Sequence, residues 1–362
     1  MEYLELGTVV RDLLPDVEAG NPRNSEGTFL ETGKNEILFV YSRFRGHDPA
    51  DHAYADLCLM RSRDGGRTFD EGRVILTCEG EEGVNMMSPS LLRMENGDVG
   101  LFYLVRMTYT ITRIYLRRSA DGGRSWGERV LCSPQDDFFV VNNDRVVRLA
   151  GGRILIPVAS HRAGPGYFDG RSEAMFLLSD DDGRSWRMAS GKCTLPQARH
   201  CSSGLQEPGA AELKNGVLWG WARTELGRQY EMFSLDGGDS WTAAQPSRFT
   251  SPNSPLCMKR GNDGRLYAVW NPIPEYNGRK KVDYFTGGRT PLVIASSGDD
   301  GRTFSEPVAF EWDEESGYCY CAICFTEDAL LLAYCAGGRQ ERSCLVKTRI
   351  RRVEKAELEK IR

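Results

Sequence analysis

The sequence predicts an all-β fold, a six-bladed β-propeller whose blades are joined by repeated turns. The first observation is an octapeptide that occurs five times, about 60 residues apart, in a chain of 362 residues. The second is the set of short strand-like runs that lie between the copies, in a chain with 39 glycines and 10% aromatic residues. Such a period is typical of propellers, because repeats of about 50–60 residues form blades that share one closed ring.

The octapeptide has the chemistry of a tight hairpin turn. Its copies read SRDGGRTF, SADGGRSW, SDDDGRSW, SLDGGDSW and SGDDGRTF, at Ser62–Phe69, Ser119–Trp126, Ser179–Trp186, Ser234–Trp241 and Ser297–Phe304. The Asp side chain can accept backbone N–H groups, and Gly adopts backbone angles that are closed to other residues. The hydroxyl groups tie the loop further, and the final Trp or Phe is a large apolar group to bury beneath it.

Strand-like runs precede each turn and follow the last one. They are Glu36–Ser42, Leu57–Ser62, Val99–Val105, Ile114–Arg118, Ile154–Ala159, Ala174–Leu178, Val217–Ala222, Gln229–Phe233, Leu266–Trp270, Leu292–Ala295, Glu311–Glu327, Ala329–Cys335 and Cys344–Arg351. Residues 1–22 are expected to supply a closing strand that pairs with the C-terminal strands and protects a sheet edge. Lys355–Arg362 is expected to be helical and solvated. We predict one domain over residues 1–362.

Charge and composition exclude some partners. The net charge of −5 and the isoelectric point of about 5.6 argue against nucleic acid, because phosphate binding leaves a basic footprint. The first residues lack the basic start and apolar core of a signal peptide, and no run reaches the roughly 18–20 apolar residues of a membrane span. Eleven cysteines without framework spacing suit free thiols. We expect a cytoplasmic protein without a membrane partner.

The pattern Ser-x-Asp-x-Gly-x-Thr/Ser-Trp/Phe resembles the Asp-box of the sialidase superfamily, in which each box joins two strands of a propeller blade. The resemblance covers roughly residues 23–320. It implies a glycosidase that uses a Tyr nucleophile with a Glu base, an Asp acid/base, and three arginines that hold the carboxylate of the sugar. Guanidinium groups bind a planar carboxylate bidentately and keep their charge. A Tyr nucleophile departs from the two-carboxylate scheme of most glycosidases and needs an adjacent base or cations.

The resemblance places the three arginines in order along the chain. Arg23 lies in NPRNSEG, where the usual Arg-Ile-Pro is replaced by Arg-Asn-Ser-Glu; the alternative is a loop arginine paired with Glu26. Arg223 ends the strand GWAR. Arg289 in GGRTPL precedes the fifth turn, with Arg279 as the alternative.

The acid/base is expected in HDPADHAYADL, where Asp51 is the first choice and Asp48 the second. His47 and His52 lie beside these carboxylates, as they would in a metal site. The spacing matches no standard zinc pattern, and the sialidase reaction needs no metal. We therefore predict no metal and no cofactor.

The nucleophile and its base are expected on two later strands. Glu207 in LQEPGAAEL precedes the strand of Arg223, with Glu212 as the competing carboxylate. Tyr320 in SGYCYCAICF is the predicted nucleophile, and strand alternation would place Tyr318 on the same face of the pocket. Further residues at strand ends near the expected mouth are candidates for binding the glycerol tail or acyl group: Arg43, Arg45, Asn143, Asp144, His161 and Arg162.

The sequence thus predicts an exo-glycosidase of retaining mechanism that acts on terminal α-linked sialic acid or a related nonulosonic acid. The expected partner is a sialylated oligosaccharide or a small sialoside. One alternative keeps the scaffold but changes the reaction, to intramolecular trans-sialidase or hydrolysis of another acidic sugar. The other is a non-catalytic glycan-binding propeller, which the presence of the Tyr and Glu pair disfavours.

Overall fold

The computed structural model describes residues 1–195, 201–275 and 284–362. Within these ranges the regular structure consists of strands and one 3-10 helix, Lys355–Ile361. No helix of these ranges has the length and apolar character needed to cross a membrane. Arg279, the alternative to Arg289, lies outside the described residues.

The described residues form 26 strands. In chain order these are β1 Glu2–Tyr3, β2 Thr8–Leu13, β3 Asn24–Gly33, β4 Glu36–Phe44, β5 Ala55–Ser62, β6 Arg73–Leu76, β7 Asn85–Arg93, β8 Val99–Arg106, β9 Thr112–Ser119, β10 Val130–Leu131, β11 Phe138–Val140, β12 Val147–Arg148, β13 Ile154–Gly164, β14 Tyr167–Ser179, β15 Arg187–Met188, β16 Gln206–Glu212, β17 Leu218–Arg223, β18 Arg228–Ser234, β19 Gln245–Thr250, β20 Cys257–Arg260, β21 Leu266–Trp270, β22 Leu292–Ser297, β23 Val308–Glu311, β24 Cys319–Phe325, β25 Ala329–Cys335 and β26 Thr348–Glu354.

Hydrogen bonding groups these strands into five sheets across the described ranges. The sheets comprise β3–β10, β11–β15, β16–β19, β20–β23 with β1, and β24–β26 with β2. Inside the first sheet, β3–β6 and β7–β10 are antiparallel groups that meet through a single parallel pair, Ala55 with Asn85. The all-β prediction is therefore confirmed. The prediction of six separate blades is not, because this pair joins two groups into one sheet.

The sheets pack face to face in a closed ring. Phe102 and Leu116 of the first sheet contact Phe139 and Ile156 of the next, and similar apolar clusters lie between the later sheets. The last sheet returns to the first, where the side chain of Leu331 joins the cluster of β3–β5. Full burial of each such side chain stabilises the fold by roughly 1.5–3 kcal/mol. This closed all-β arrangement is a propeller.

Both chain ends take part in closing the ring. The predicted closing strand is β2, which pairs antiparallel with β26, while β1 pairs parallel with β23. These pairings cover sheet edges that would otherwise be exposed. The last segment differs from its prediction, because it is a 3-10 helix that buries Leu358 and Ile361 instead of a solvated end.

The octapeptide turns have the predicted internal hydrogen bonds. In the first copy, the Ser62 hydroxyl donates to Asp64 Oδ1 at 2.7 Å, and the same oxygen accepts the N–H of Thr68 at 2.9 Å. Gly66 has a φ of 83°, and a Cβ there would lie 2.7 Å from the Leu331 side chain. Left-handed backbone and lack of space thus both require glycine at this position.

The first strands of the units contact one another around the axis of the ring, β24 with β3 and β20, and β3 with β7. Register shifts interrupt β3, β7, β16 and β24 near their first residues. At each shift a residue other than glycine has a positive φ: Glu26 at 56°, Ser88 at 55°, Glu207 at 45° and Tyr320 at 55°. Bulges of this kind redirect side chains and are frequent next to active sites.

Candidate active site

A cavity of about 720 Å³ opens at one end of the ring. Five residues predicted from the sequence line it: Asp51, His161, Glu207, Arg223 and Tyr320. They come from parts of the chain that are far apart in sequence. The bulges in β16 and β24 aim Glu207 and Tyr320 at each other.

Tyr320 and Glu207 form the centre of the site. The Tyr320 hydroxyl donates to Glu207 Oε1 at 2.9 Å, and Glu207 Oε2 has no hydrogen-bond partner. The Asn143 side-chain amide donates to the Tyr320 carbonyl at 3.1 Å and to the Gly27 carbonyl at 2.6 Å, which ties the bulge of β24 to β3. A phenol is thus held with its proton directed at a carboxylate.

Two guanidinium groups surround this pair. Arg223 Nη1 donates to Glu207 Oε1 at 2.8 Å and to the Tyr320 hydroxyl at 3.3 Å. Arg289 lies over the Tyr320 ring, with Cζ 5.4 Å from the ring centroid. Burial and the negative charge of Glu207 raise the pKa of Tyr320 well above its usual range, against the opposing effect of both arginines. The phenol is therefore neutral in the free protein.

Arg289 is almost fully buried behind the phenol. Its Nη1 donates to Cys319 Sγ at 3.0 Å, and its Nη2 donates to the carbonyl of Asn253 at 3.4 Å. The Asn253 side chain in turn accepts from Arg223 Nε at 2.6 Å. One loop residue therefore positions two of the predicted arginines, and no feature of the sequence singled out Asn253.

Arg23 is buried beside Asp51. Its Nη1 donates to Asp51 Oδ1 at 2.6 Å, and its Nη2 to Glu26 Oε1 at 3.2 Å. The guanidinium also lies over the Phe44 ring, 4.4 Å from the centroid. Partial loss of hydration favours the protonated form of Asp51, but attraction to Arg23 outweighs it and lowers the pKa of Asp51. The structure therefore contains the contact with Glu26 that the alternative interpretation expected, and it also places Arg23 next to the acid/base candidate.

Glu26 is a buried carboxyl group in the bulge of β3. Burial raises its pKa to about 7, and the negative charges of Asp51 and Glu207 add to this against the attraction of Arg23. The Ser88 hydroxyl donates to its second oxygen at 3.0 Å. Glu26 therefore changes its charge near neutral pH without lining the cavity.

Five of the predicted catalytic and binding residues do not line the cavity. Arg23 and Arg289 lie behind the lining, in contact with Asp51 and Tyr320 respectively, whereas Tyr318, Arg43 and Asp48 are placed elsewhere.

Tyr318 is buried in the core against Tyr334, because the bulge between Cys319 and Ala322 breaks the strand alternation on which its prediction rested. The structure thus corrects the placement of Tyr318.

Arg43 and Asp48 also lie elsewhere. Arg43 lies near Tyr41 and Cys58. Burial raises the pKa of both groups, and the positive charge of Arg43 opposes this effect. Asp48 lies 3.3 Å from His52 on the same loop as Asp51, and it lines a neighbouring cavity. Asp51 is the carboxylate of this loop that lines the main cavity.

The described residues contain one cluster with metal-ligand spacing, formed by Asp56, Cys78 and Glu79. Arg45 makes ion pairs with Asp56 at 2.8 Å and with Glu79 at 2.5 Å. The cation that these carboxylates bind is thus a guanidinium of the protein itself.

Arg106, at the end of β8, was missed by the sequence analysis. It lines the main cavity, and its guanidinium lies 5.2 Å from the centroid of the Phe138 ring. Burial lowers its pKa, and attraction to Asp51 opposes this. Its position directly after the strand-like run Val99–Val105 was the signal that could have found it.

Comparison with known proteins identifies the family of the chain. The model of the BNR repeat-like domain family matches residues 51–332. The chain belongs to this family within the sialidase superfamily. An anhydrosialidase of Macrobdella decora is 24% identical over 250 residues, covering 62% of this chain and 30% of that protein. A sialidase of Bacteroides fragilis is 22% identical over 339 residues, covering 81% of this chain and 56% of that protein.

Solved structures of sialidases share the fold. The NanB sialidase of Streptococcus pneumoniae superposes with a TM-score of 0.69 at 12% identity, covering 97% of this chain and 71% of that one. At this identity the likeness shows the propeller fold alone. The sialidase-superfamily chain described here spans less than two thirds of the length of the two curated relatives.

Proposed function

We propose that this protein is a retaining exo-glycosidase that releases terminal α-linked sialic acid or a related nonulosonic acid. The observation that carries the proposal is the contact of the Tyr320 hydroxyl with Glu207 at 2.9 Å, flanked by Arg223. A carboxylate next to the anomeric carbon repels an anionic nucleophile, whereas a phenol approaches as a neutral group. The adjacent carboxylate can then accept its proton as the bond forms.

In the proposed mechanism, Tyr320 Oη attacks the anomeric carbon while its proton passes to Glu207. Asp51, once the substrate carboxylate has displaced it from Arg23 and it has taken up a proton, donates this proton to the glycosidic oxygen, and the bond to the leaving group breaks. Water then attacks the tyrosyl–sugar bond and gives its proton to Asp51, while Tyr320 regains its proton from Glu207. Two displacements at the same carbon give net retention.

The sugar carboxylate is proposed to bind to Arg23, Arg223 and Arg289. Among the described residues, Nη2 of Arg223 makes no hydrogen bond, so it is available to a ligand. These guanidinium groups hold the substrate anion and also stabilise the phenolate character that develops on Tyr320.

We infer that residues 1–362 form one domain, and that six blades result when the first sheet is divided at the pair of Ala55 and Asn85. The proposed substrates are small sialosides or sialylated oligosaccharides, in keeping with the expected cytoplasmic location. If a hydroxyl of the bound sugar replaced water, the same residues would catalyse intramolecular transfer, the activity in the name of a leech intramolecular trans-sialidase whose structure shares the fold.

The test is release of 4-methylumbelliferone from its α-sialoside by the wild type and by Tyr320→Phe. We expect the variant to lose about 10³-fold or more of kcat, because it lacks the nucleophilic oxygen. Tyr318→Phe is the matched control, since it removes one hydroxyl from a buried tyrosine of the same segment, and it should keep activity close to that of the wild type. Near-normal turnover by Tyr320→Phe, with circular dichroism unchanged, would refute the proposed nucleophile. Mass spectrometry of the released sugar distinguishes hydrolysis from intramolecular transfer.

A further inference from the structure

Arg106 lies where two cavities meet. The main cavity of about 720 Å³ and a second cavity of about 480 Å³ share Arg106 and Tyr109 in their linings. The loop that carries Asp51 into the main cavity also carries Asp48 and His52 into the second one. Arg106 is therefore accessible from both sides of this loop.

The other arginines that line these cavities are neutralised by carboxylates. Arg223 contacts Glu207 in the main cavity, and Arg45 contacts Asp56 and Glu79 beside the second. In the part of the chain that the structure describes, the guanidinium of Arg106 makes neither a hydrogen bond nor an ion pair.

A partly buried cation that has no hydrogen-bonded anion carries a cost in free energy. Arg106 packs against the Phe138 ring, and burial lowers its pKa while the charge of Asp51 raises it. Removal of a cation from water without a hydrogen-bonded anion is unfavourable. An anion that enters the cavity and contacts Arg106 recovers this cost and makes a charge-assisted hydrogen bond.

The second cavity has a lining suited to a sugar ring with an anionic substituent. Ala53, Tyr54, Val84 and Met107 contribute apolar surface, and Arg106 contributes the unpaired positive charge. If Asp51 protonates the glycosidic oxygen, the leaving group attached to that oxygen lies next to the loop that carries Asp51. The second cavity is on this loop.

We propose, on the basis of the function proposed above, that the second cavity binds the leaving group and that Arg106 binds an anion which that leaving group carries. The preferred substrate is then one acidic sugar linked to another, so that each sugar supplies a carboxylate. The terminal carboxylate binds the arginines near Tyr320, and the carboxylate of the leaving sugar binds Arg106.

The test compares two substrates with the same terminal sugar, the α2,8-linked dimer of sialic acid and 3′-sialyllactose, whose leaving group is neutral. We expect the wild type to have a higher kcat/KM for the dimer than for 3′-sialyllactose. Arg106→Gln should lower the ratio of kcat/KM for the dimer to kcat/KM for 3′-sialyllactose by about tenfold, mainly because KM for the dimer rises. Arg106→Lys should restore part of the ratio. Arg113→Gln is the matched control, because it removes one exposed positive charge, paired with Asp136, from the neighbouring strand β9.

Two kinetic results would overturn the inference. If Arg106→Gln lowered kcat/KM equally for both substrates, Arg106 would contact the terminal sugar that the two substrates share. If Arg113→Gln lowered the ratio of the two kcat/KM values as much as Arg106→Gln does, the effect would come from general surface charge. A binding measurement separates this inference from the proposed reaction. Calorimetry of the dimer with Tyr320→Phe, with and without Arg106→Gln, should show about tenfold weaker binding in the double variant.

Absence of hydrolysis by the wild type, together with binding that depends on Arg106, would refute the hydrolase proposal alone. Binding of the dimer that is unchanged by Arg106→Gln would refute the inference whatever the kinetics show.

Discussion

At the residue scale, backbone conformation determines which side chains face the cavity. Glu207 and Tyr320 have φ values of 45° and 55° in bulges at the start of β16 and β24. Such conformations cost on the order of 1–3 kcal/mol each for a residue other than glycine, and they persist only where the surrounding structure enforces them. Here the Asn143 contact with the Tyr320 carbonyl supplies part of that restraint. The strain therefore lies at the two residues that we propose to react.

A second feature at this scale is that most N–H donors of the Arg23 guanidinium already make hydrogen bonds to other groups of the protein. Its Nε donates to Ser25, its Nη1 to Asp51 and the Pro49 carbonyl, and its Nη2 to Glu26. A guanidinium has five N–H donors, so one of them remains for a ligand. Bidentate binding of a substrate carboxylate to Arg23 therefore requires that Asp51 first move away.

This competition leads to a prediction for Asp51→Ala. The variant should bind free sialic acid about tenfold more tightly than the wild type, because the internal carboxylate no longer occupies Arg23, although its turnover of sialyllactose falls. Isothermal titration calorimetry measures the affinity. Asp48→Ala is the control, since it removes a carboxylate from the same loop that does not contact Arg23. Affinity in Asp51→Ala equal to or below that of the wild type would rule out the competition.

At the scale of the element, each octapeptide turn is organised by one carboxylate. In the third copy, Asp181 accepts the Ser179 hydroxyl, the N–H groups of Arg184 and Ser185, and the Ser185 hydroxyl, at 2.6–3.0 Å. These hydrogen bonds, with the Ser185 hydroxyl foremost, lower the pKa of Asp181 to about 2. The neighbouring Asp180 instead makes an exposed ion pair with Arg153.

We therefore predict that Asp181→Ala lowers the free energy of unfolding by about 1–3 kcal/mol, because it leaves several donors of the turn without an acceptor. Asp180→Ala, in the same turn, should cost less than about 1 kcal/mol, as is usual for exposed ion pairs. Urea unfolding at neutral pH measures both changes. Equal losses in the two variants would contradict the assigned role of Asp181.

The pH dependence of this effect has a definite sign. The pKa of Asp181 is lower in the folded protein than in the unfolded chain, so its contribution is fully present above the ordinary value of 3.8. It is lost as the pH falls from there towards 2. The difference between wild type and Asp181→Ala should therefore shrink in acid.

At the scale of the whole molecule, the ring depends on pairing between distant ends of the chain. β2 is hydrogen-bonded to β26 along its length, and Leu13 joins the apolar cluster of β3–β5 and β24–β26. Removal of this strand would expose both the edge of β26 and part of that cluster. Exposed edges of this kind promote pairing with other chains.

We predict that deletion of residues 1–13 lowers Tm by more than about 5 °C and increases self-association. The physical reason is the loss of the β2–β26 pairing together with the burial of Leu13. Differential scanning calorimetry measures Tm, and size-exclusion chromatography measures association. Tyr3→Ala in the full chain is a mild control, since Tyr3 is largely exposed. A deletion variant with the Tm of the full chain would show that the closing strand contributes little.

Local chemistry in the sequence determined the all-β class, the five turns and the order of the candidate residues along the chain. Turn formation depends on residues a few positions apart, so Asp, Gly and Ser at fixed spacing were sufficient to predict it. The resemblance then indicated Glu207, Arg223 and Tyr320, which the structure brings into contact. Their roles in catalysis stay predictions.

Only the tertiary structure decided which other side chains reach the cavity. Strand alternation predicted Tyr318 beside Tyr320, but the bulge in β24 turned the two residues to different environments. Likewise, the joining of two units into one sheet depends on a single pair between β5 and β7. Arg106 and Asn253 entered the site through packing between sheets. Bulges and inter-sheet contacts depend on residues that are distant in the chain, so the local sequence pattern does not predict them.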